Sequence, residues 1–184
     1  MLVGTAALAA TGPPAAGAQA PAAKPPHLVR TDDTGRVTHL GPVRVGTRRA
    51  SLADAYRVFG RASTTSGTGN VRRVRWRAAG VYLTTVTFGG CRRRTCARTE
   101  LRIQRASLSG PRWRTAAGLG VGEPASRIAE LYPGTRVPAD GSGNVVLVAM
   151  RSPFGDGRRI STVTARVRGG VVRSFDVWVG DAGD

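Results

Sequence analysis

The sequence has few of the residues on which most enzymes and metal sites depend. Both of its histidines, His27 and His39, lie within the first 40 of its 184 residues, so the rest of the chain lacks the usual general base and the commonest metal ligand. Its two cysteines, Cys91 and Cys96, cannot supply the four ligands of a structural zinc site. We therefore expect no catalytic residue, no cofactor and no bound metal. An enzyme with an unrecognised carboxylate site is the alternative that the sequence leaves open.

Long hydrophobic runs and aromatic side chains are also scarce. No apolar run approaches the roughly 20 residues that a membrane-spanning helix requires, and aromatic residues make up 5% of the chain. The hydrophobic content is nevertheless 41%, and Val, Leu, Ile, Phe and Trp recur with strand-like spacing after residue 40. This pattern excludes a disordered polymer and predicts a folded protein with one core or two small ones.

The beginning of the chain has the pattern of a secretory signal peptide. Residues 1–20 contain a short apolar stretch and end in Ala18-Gln19-Ala20, which is typical of a cleavage site between small residues. No basic residue precedes Lys24, so the usual positively charged region is missing, and we infer that the true start lies further upstream. An uncleaved, alanine-rich leader is the alternative. We expect the protein to be exported, and to be secreted or associated with the cell envelope.

The two cysteines predict one structural disulfide. An even number of cysteines in an exported chain is typical of disulfide bonding, and only four residues separate Cys91 from Cys96. So short a ring stabilises by only about 2 kcal/mol in the chain-entropy model, and we expect it to pin a loop between two strands. The alternative is a reactive dithiol, because Arg92, Arg93 and Arg94 would lower the pKa of a neighbouring thiol.

The chain divides into four segments. Residues 1–20 form the signal peptide, and residues 21–40 are rich in proline and alanine and then polar, as expected of a linker or arm outside the core. Residues 41–115 and 116–184 form two units that we interpret as an internal repeat, because the same landmarks recur 74 or 76 residues apart. The paired landmarks are Val45-Gly46 and Val121-Gly122, Leu52 and Ile128, Tyr56 and Tyr132, Gly60 and Gly134, and Asn70 and Asn144.

Each unit is predicted to contain a short helix followed by strands. The first helix begins at the Ser51-x-x-Asp54 cap and ends at Gly60, and the second begins at Pro124 and ends before Gly134. Alternating apolar residues predict strands at 71–77, 81–88, 100–106, 145–150, 160–168 and 171–179, with Gly169-Gly170 as a hairpin turn between the last two. The predicted fold class is α+β: two tandem units, each a short helix followed by a three- or four-stranded antiparallel sheet.

The repeated helix pattern resembles that of several bacterial binding proteins. The pattern Val-Gly-x5-Leu/Ile-x3-Tyr ends at Tyr56 in the first unit and at Tyr132 in the second. This duplication resembles small secreted proteins of uncharacterised function and, more distantly, the tandem helix-plus-sheet units of the β-lactamase inhibitory protein and of small outer-membrane assembly lipoproteins of the SmpA/OmlA kind. The resemblance covers roughly residues 41–180 and implies this fold and a binding function. The chain departs from these families in having one cysteine pair, no lipobox and few aromatic residues, so no binding residue carries over.

Positive charge is concentrated in the first unit. The 28 basic residues outnumber 11 acidic ones, and all but Lys24 are arginine. Residues 41–115 contain 17 arginines against Asp54 and Glu100, a net charge of +15, whereas residues 116–184 contain 8 arginines and 7 acidic residues, a net charge of +1. A GC-rich genome favours arginine codons, but it would do so in both units alike. The asymmetry therefore indicates a function for the cations as a group, although solvation explains any single one more simply.

The clearest cluster of cations lies on the predicted strand 71–77. Alternation puts Arg73, Arg75 and Arg77 on one face, with side chains about 6.6–7 Å apart along the strand. Guanidinium groups bind phosphate, sulfate and carboxylate through paired hydrogen bonds. With the neighbouring clusters, the predicted polyanion-binding residues are Arg72, Arg73, Arg75, Arg77, Arg92, Arg93, Arg94, Arg112 and Arg114.

The last predicted strand adds one aromatic candidate. If Phe175, Val177 and Val179 face the core, alternation turns Trp178 outward beside Asp176. Trp178 is then a candidate contact for a partner, and the alternative is that it covers the neighbouring unit.

Together these features predict an exported, non-catalytic binding protein. Its basic first unit would contact an anionic cell-envelope polymer, a nucleic acid or an acidic protein surface by electrostatic attraction. The alternative is a protein-binding inhibitor or envelope assembly factor that uses an exposed sheet face. The second alternative is the carboxylate enzyme named above.

Overall fold

The computed structural model describes five stretches of the chain, residues 25–45, 51–68, 70–87, 101–152 and 156–180. Within them the chain forms eleven strands and two short helices. The strands are β1 (His27–Thr31), β2 (Val37–Leu40), β3 (Val43–Arg44), β4 (Thr64–Ser66), β5 (Val71–Trp76), β6 (Val81–Val86), β7 (Arg102–Leu108), β8 (Trp113–Thr115), β9 (Gly143–Arg151), β10 (Arg159–Arg168) and β11 (Val171–Trp178). The helices are α1 (Leu52–Phe59) and α2 (Ser126–Leu131). Neither helix is long and apolar enough to cross a bilayer.

The predicted α+β fold class is wrong, because the described part of the chain is mostly sheet. Strands account for 49% of it and helices for 10%. Instead of two helix-plus-sheet units there are two sheets, one of four strands in the order β3-β2-β1-β8 and one of seven in the order β4-β5-β6-β7-β11-β10-β9. The seven-stranded sheet therefore contains strands of both predicted units, joined where β7 pairs with β11.

The junction between β7 and β11 explains why local patterns did not reveal a single sheet. Phe175 pairs with Leu108 and Val177 with Ala106 across this antiparallel junction, and all four side chains are at most 4% exposed. Alternation along a strand specifies which side chains face a core, but it does not specify which strand lies alongside. The six predicted strands therefore lie in about the right places but were grouped wrongly, and β1, β2, β3, β4 and β8 were not predicted.

The segment assigned to a linker or arm contributes to the core instead. Val29, Val37 and Leu40 are each at most 2% exposed. β1 and β2 form an antiparallel hairpin, and Asp32 closes its turn by accepting a hydrogen bond from the N–H of Thr34 at 3.0 Å. β1 also pairs in parallel with β8, which lies far along the chain. Short strands are stable only when such a partner covers them, and the local composition gives no sign of it.

One hydrophobic core joins the two sheets and both helices. Its fully buried side chains include Trp113 beside β1, Phe175 of β11, Leu52 of α1 and Ile128 of α2. The ring centroids of Trp113 and His27 are 4.9 Å apart. The inner face of the seven-stranded sheet is thereby covered, and the side chains between the buried ones point to the other face.

Two local predictions are confirmed. α1 begins at the N-cap Ser51 and stops at Gly60, whose φ of 72° lies in the left-handed region that favours glycine. Gly169 and Gly170 have φ of 59° and 71° and form the two-residue connection between β10 and β11, as expected of a hairpin turn with two positive φ angles.

Candidate functional site

The seven-stranded sheet has an outer face, opposite the core, on which polar and aromatic side chains lie in rows. In one row the directly opposed residues of β5, β6, β7 and β11 are Arg73, Thr84, Arg105 and Trp178. In the next row the residues of β5, β6, β7, β11 and β10 are Arg75, Tyr82, Ser107, Asp176 and Thr164. We call these nine residues the outer face. Neighbouring strands in it are about 4.8 Å apart.

Strand alternation is the reason that the outer face is polar. Val74 and Trp76 alternate with Arg73 and Arg75 along β5, and both apolar side chains are at most 2% exposed. On β6 the buried Leu83 separates two outward residues in the same way. Because the apolar residues face the core, the arginines between them face away from it.

One group of four exposed arginines, at β5 and β7 on this side of the sheet, has no acidic partner among the described residues. Three are the predicted Arg73, Arg75 and Arg77, and the fourth is Arg105, which was not predicted. The ion pairs within the described stretches use other arginines. Arg105 stands alone in the sequence rather than in a run of arginines. Its outward position on the predicted strand 100–106 was the signal that could have identified it.

Arg75 and Arg77 also flank a shallow depression of about 640 Å³ beside the outer face. Tyr82, Ser107 and Ser109 contribute to its lining. Arg77 follows the end of β5, and its backbone N–H donates a hydrogen bond to a serine hydroxyl at 3.0 Å. Arg73, Arg75 and Arg77 therefore form one row along β5 and the residue that follows it.

Arg72 does not join this group. It alternates with Arg73 and Arg75 along β5, so it lies on the other face of the strand, and its side chain is partly buried. Its Nη1 donates a hydrogen bond to the carbonyl oxygen of Gly67 at 3.4 Å. The predictions that fall outside the described residues stay predictions: anion binding by Arg92, Arg93 and Arg94, and the disulfide between Cys91 and Cys96.

Arg112 and Arg114 belong to the other sheet. Arg114 lies within β8, and Arg112 immediately precedes it. Nη2 of Arg112 donates a hydrogen bond to the carbonyl oxygen of Pro25 at 2.8 Å. Arg114 forms an ion pair with Glu123. Burial raises the pKa of Glu123, but the hydrogen bond from the Gly120 N–H and the pairing with Arg114 outweigh burial, so the pKa is lowered overall. A carboxylate from the second predicted unit therefore neutralises Arg114.

A groove of about 620 Å³ crosses the outer face. It is lined by two aromatic rings, charged groups and hydroxyls, which include Tyr82, Trp178, Arg105, Asp176, Thr84, Ser107, Ser161 and Thr164. Asp176 is the only carboxylate in this described lining, and its Oδ2 accepts a hydrogen bond from Nη2 of Arg166 at 3.0 Å. The groove therefore combines a paired carboxylate with the unpaired guanidinium of Arg105.

Trp178 differs from the other two tryptophans in its surroundings. Trp76 and Trp113 are 2% and 0% exposed, and their indole N–H groups donate to backbone carbonyl oxygens at 2.9 and 2.8 Å. Trp178 is partly exposed on the outer face, and its N–H has no hydrogen-bond partner within the described stretches. Its ring lies against Gly180, where an added methyl group would come within 3.4 Å of ring atoms.

The titratable groups of the described chain include two histidines and several carboxylates. No three histidine, cysteine, aspartate or glutamate side chains come together there in a way that could hold a metal ion. His27 and His39 lie in the four-stranded sheet, where burial and neighbouring arginines lower the pKa of each, so that each is harder to protonate than a free histidine. Another depression, of about 920 Å³, is lined by the adjacent carboxylates Asp32 and Asp33, so the hypothesis of a carboxylate enzyme stays a prediction.

Comparisons with known proteins add no family to these observations. No family model matches the chain, and no curated protein and no solved structure is detectably similar to it. The resemblance to inhibitor and lipoprotein families stays a prediction, and function has to be inferred from the geometry of the outer face.

Proposed function

We propose that the protein is an exported, non-catalytic binding protein whose outer face and adjoining arginines bind an anionic cell-envelope polymer or another acidic surface. The observation that carries this proposal is the group formed by Arg73, Arg75, Arg77 and Arg105, which are exposed and without a carboxylate partner among the described residues. These cations lie on one side of one sheet, across the width of β5 to β7.

Electrostatics makes this group suitable for a polyanion. Like charges repel in the free protein, and an anionic partner relieves that repulsion. Arg73 and Arg75 are about 7 Å apart along β5, which is shorter than the Debye length of about 8 Å at physiological salt. They therefore act on the same segment of a partner, and each adds paired hydrogen bonds to carboxylate, sulfate or phosphate. Such binding weakens steeply as salt concentration rises.

Charge reversal on the outer face tests the proposal. We expect the double substitution Arg73→Glu and Arg75→Glu to weaken binding to heparin by at least about tenfold, because two attractive contacts become repulsive. The matched control, Arg30→Glu with Arg44→Glu, makes the same change of net charge at exposed strand positions of the four-stranded sheet and should weaken binding less than about threefold. Affinity is measured by calorimetry at about 50 and about 500 mM salt, with circular dichroism as the check of folding.

Two results would contradict the proposal. An equal loss in the two double variants would mean that net charge, and not the outer face, is what heparin recognises. Wild-type binding of the same strength at both salt concentrations would exclude the electrostatic mechanism.

The second candidate function is a protein-binding inhibitor or envelope assembly factor, and one observation favours it. Tyr82 and Trp178 share the outer face with arginines, and tyrosine, tryptophan and arginine dominate the binding energy of protein interfaces. A protein partner that is lost on charge reversal at Arg73 and Arg75, but whose affinity changes little with salt, would favour this function over the first.

A further inference from the structure

The outer face presents one indole ring to the solvent beside an unpaired cation. Trp178 is partly exposed, and Arg105 lies directly opposite it on the neighbouring strand. Directly opposed side chains of a sheet have Cβ atoms about 4.5–5.5 Å apart. An anionic group bound by Arg105 would therefore hold the rest of its molecule over or beside the ring of Trp178. A ligand that uses both groups has a negative charge and an apolar face within one small chemical unit.

The remaining lining of the groove distinguishes between kinds of anion. Ser107, Ser161 and Thr164 supply hydroxyl groups, which both donate and accept hydrogen bonds. Asp176, held by Arg166, can only accept them. An acceptor carboxylate among hydroxyls suits a ligand that is rich in hydroxyl donors, whereas the phosphates of a nucleic acid strand only accept hydrogen bonds and cannot pair with it.

The size of the groove agrees with a ligand of this kind. Its volume of about 620 Å³ lies within the range of roughly 300–1,000 Å³ that is usual for small-molecule sites. A sugar acid combines hydroxyl groups and a carboxylate with a face of C–H groups that packs on an aromatic ring. Arg73 lies in the same row as Arg105, so a chain of such units bound in the groove can continue towards β5.

We propose that the groove binds an acidic sugar residue of a uronate-containing polysaccharide, with the sugar carboxylate on Arg105 and the sugar ring against Trp178. The inference rests on the proposed function and narrows its anionic partner to one chemical class. Arg73 and Arg75 would hold the following residues of the same polymer.

Tryptophan fluorescence reports on this groove, because Trp76 and Trp113 are almost completely buried. The full chain is titrated with polygalacturonate, with neutral dextran and with a single-stranded thymidine oligonucleotide. We expect polygalacturonate to change the emission of the wild type, dextran to have no effect, and the oligonucleotide to have a smaller effect. The change with polygalacturonate should be absent from the Trp178→Phe variant.

Calorimetry with polygalacturonate measures the energetic role of the two residues. We expect Trp178→Ala and Arg105→Gln each to weaken binding by about tenfold. The matched control is Val58→Ala, which shortens a side chain on α1 that is 39% exposed, and it should leave the affinity unchanged.

The outcomes separate this inference from the proposed function. If Trp178→Ala and Arg105→Gln leave polygalacturonate affinity unchanged, or if the wild type does not bind polygalacturonate, the groove assignment is overturned. The proposed function still stands if charge reversal at Arg73 and Arg75 weakens heparin binding, and it fails if that charge reversal has no effect. A Trp178-dependent signal that is equal with dextran, or stronger with the oligonucleotide, would overturn the assignment to acidic sugars.

Discussion

At the scale of single residues, Trp113 shows how the core uses both the ring and the N–H of an indole. Its side chain is fully buried, and its Nε1 donates a hydrogen bond to the carbonyl oxygen of Ala79 at 2.8 Å. Its ring centroid lies 6.3 Å from that of Phe59. Trp178 has neither this burial nor a described partner for its N–H. The same residue type therefore stabilises the fold at one position and remains available for binding at the other.

Replacement by phenylalanine at the two positions separates these roles. We expect Trp113→Phe to lower the free energy of unfolding by about 1–3 kcal/mol, because it leaves a cavity and removes the donor to the Ala79 carbonyl. Trp178→Phe should change it by no more than about 0.5 kcal/mol. Urea unfolding followed by far-ultraviolet circular dichroism measures both values without depending on tryptophan emission. If the two substitutions lowered the free energy of unfolding by similar amounts, the structural role of Trp113 would not differ from that of Trp178.

At the scale of elements, the two helices begin in different ways. The carboxylate of Asp54 accepts hydrogen bonds from both the backbone N–H and the hydroxyl of Ser51, each at 2.9 Å, and this caps the start of α1. The hydrogen bond from the Ser51 N–H is the main reason that the pKa of Asp54 is lowered. α2 begins at Ala125, which makes no side-chain cap. One carboxylate therefore caps the start of α1, whereas α2 lacks a side-chain cap, and both helices bury apolar side chains.

Removal of the carboxylate at the cap of α1 should lower the free energy of unfolding more than removal of a carboxylate on the surface of α2. We expect Asp54→Ala to lower the free energy of unfolding by about 1 kcal/mol at pH 7. The matched control is Glu130→Ala on α2, which also removes an ion pair with an arginine three residues away and should cost less than about 0.5 kcal/mol. Thermal and urea unfolding of the two variants measure the difference.

The contribution of Asp54 to the free energy of unfolding should also depend on pH. Because the pKa of Asp54 is lowered on folding, its contribution is present above the unfolded pKa and is lost as pH falls through the folded one. The difference in the free energy of unfolding between wild type and Asp54→Ala, measured by urea unfolding at several pH values, should therefore shrink at acidic pH. A difference that stays constant down to the pKa of Asp54 and below it would argue against the charged cap.

At the scale of the whole molecule, the junction of β7 with β11 makes one sheet from strands of both halves of the chain. Buried residues on both sides of the junction belong to one core, which also includes Trp113 and Ile128. Because one core joins both sheets and the larger sheet contains strands of both halves, there is no boundary along which one half can unfold while the other remains folded.

We therefore expect one cooperative unfolding transition. Tryptophan fluorescence and far-ultraviolet circular dichroism should give the same urea midpoint, because both report on the same core. Val177→Ala at the junction, where the side chain is 2% exposed, should lower both midpoints together by an amount equivalent to about 2 kcal/mol. Two separate transitions, or a shift in one probe alone, would mean that the halves unfold independently.

The distribution of charge over the molecule also bears on function. The net charge of +17 is not confined to the outer face, since Arg30 and Arg44 are exposed on the other sheet. The outer face differs because its unpaired arginines share a surface with Tyr82 and Trp178. We propose that this combination, and not total charge, would make binding selective.

Several features could be predicted from the sequence because they depend on neighbours only a few residues away. The limits of α1 follow from Ser51 and Gly60, and the last hairpin follows from two consecutive glycines that accept positive φ. The outward direction of Arg73 and Arg75 follows from the buried residues that alternate with them. Periodicity of this kind is local, so it determines which side of an element faces the core.

The grouping of those elements was decided only by the tertiary structure. Arg105 and Trp178 are 73 positions apart in the chain, and they become neighbours because β7 pairs with β11. In the same way β1 enters the core because β8 lies beside it, and Arg114 meets Glu123. Lateral pairing depends on how all the strands can bury their apolar faces at once, and no pattern within a single strand specifies that choice.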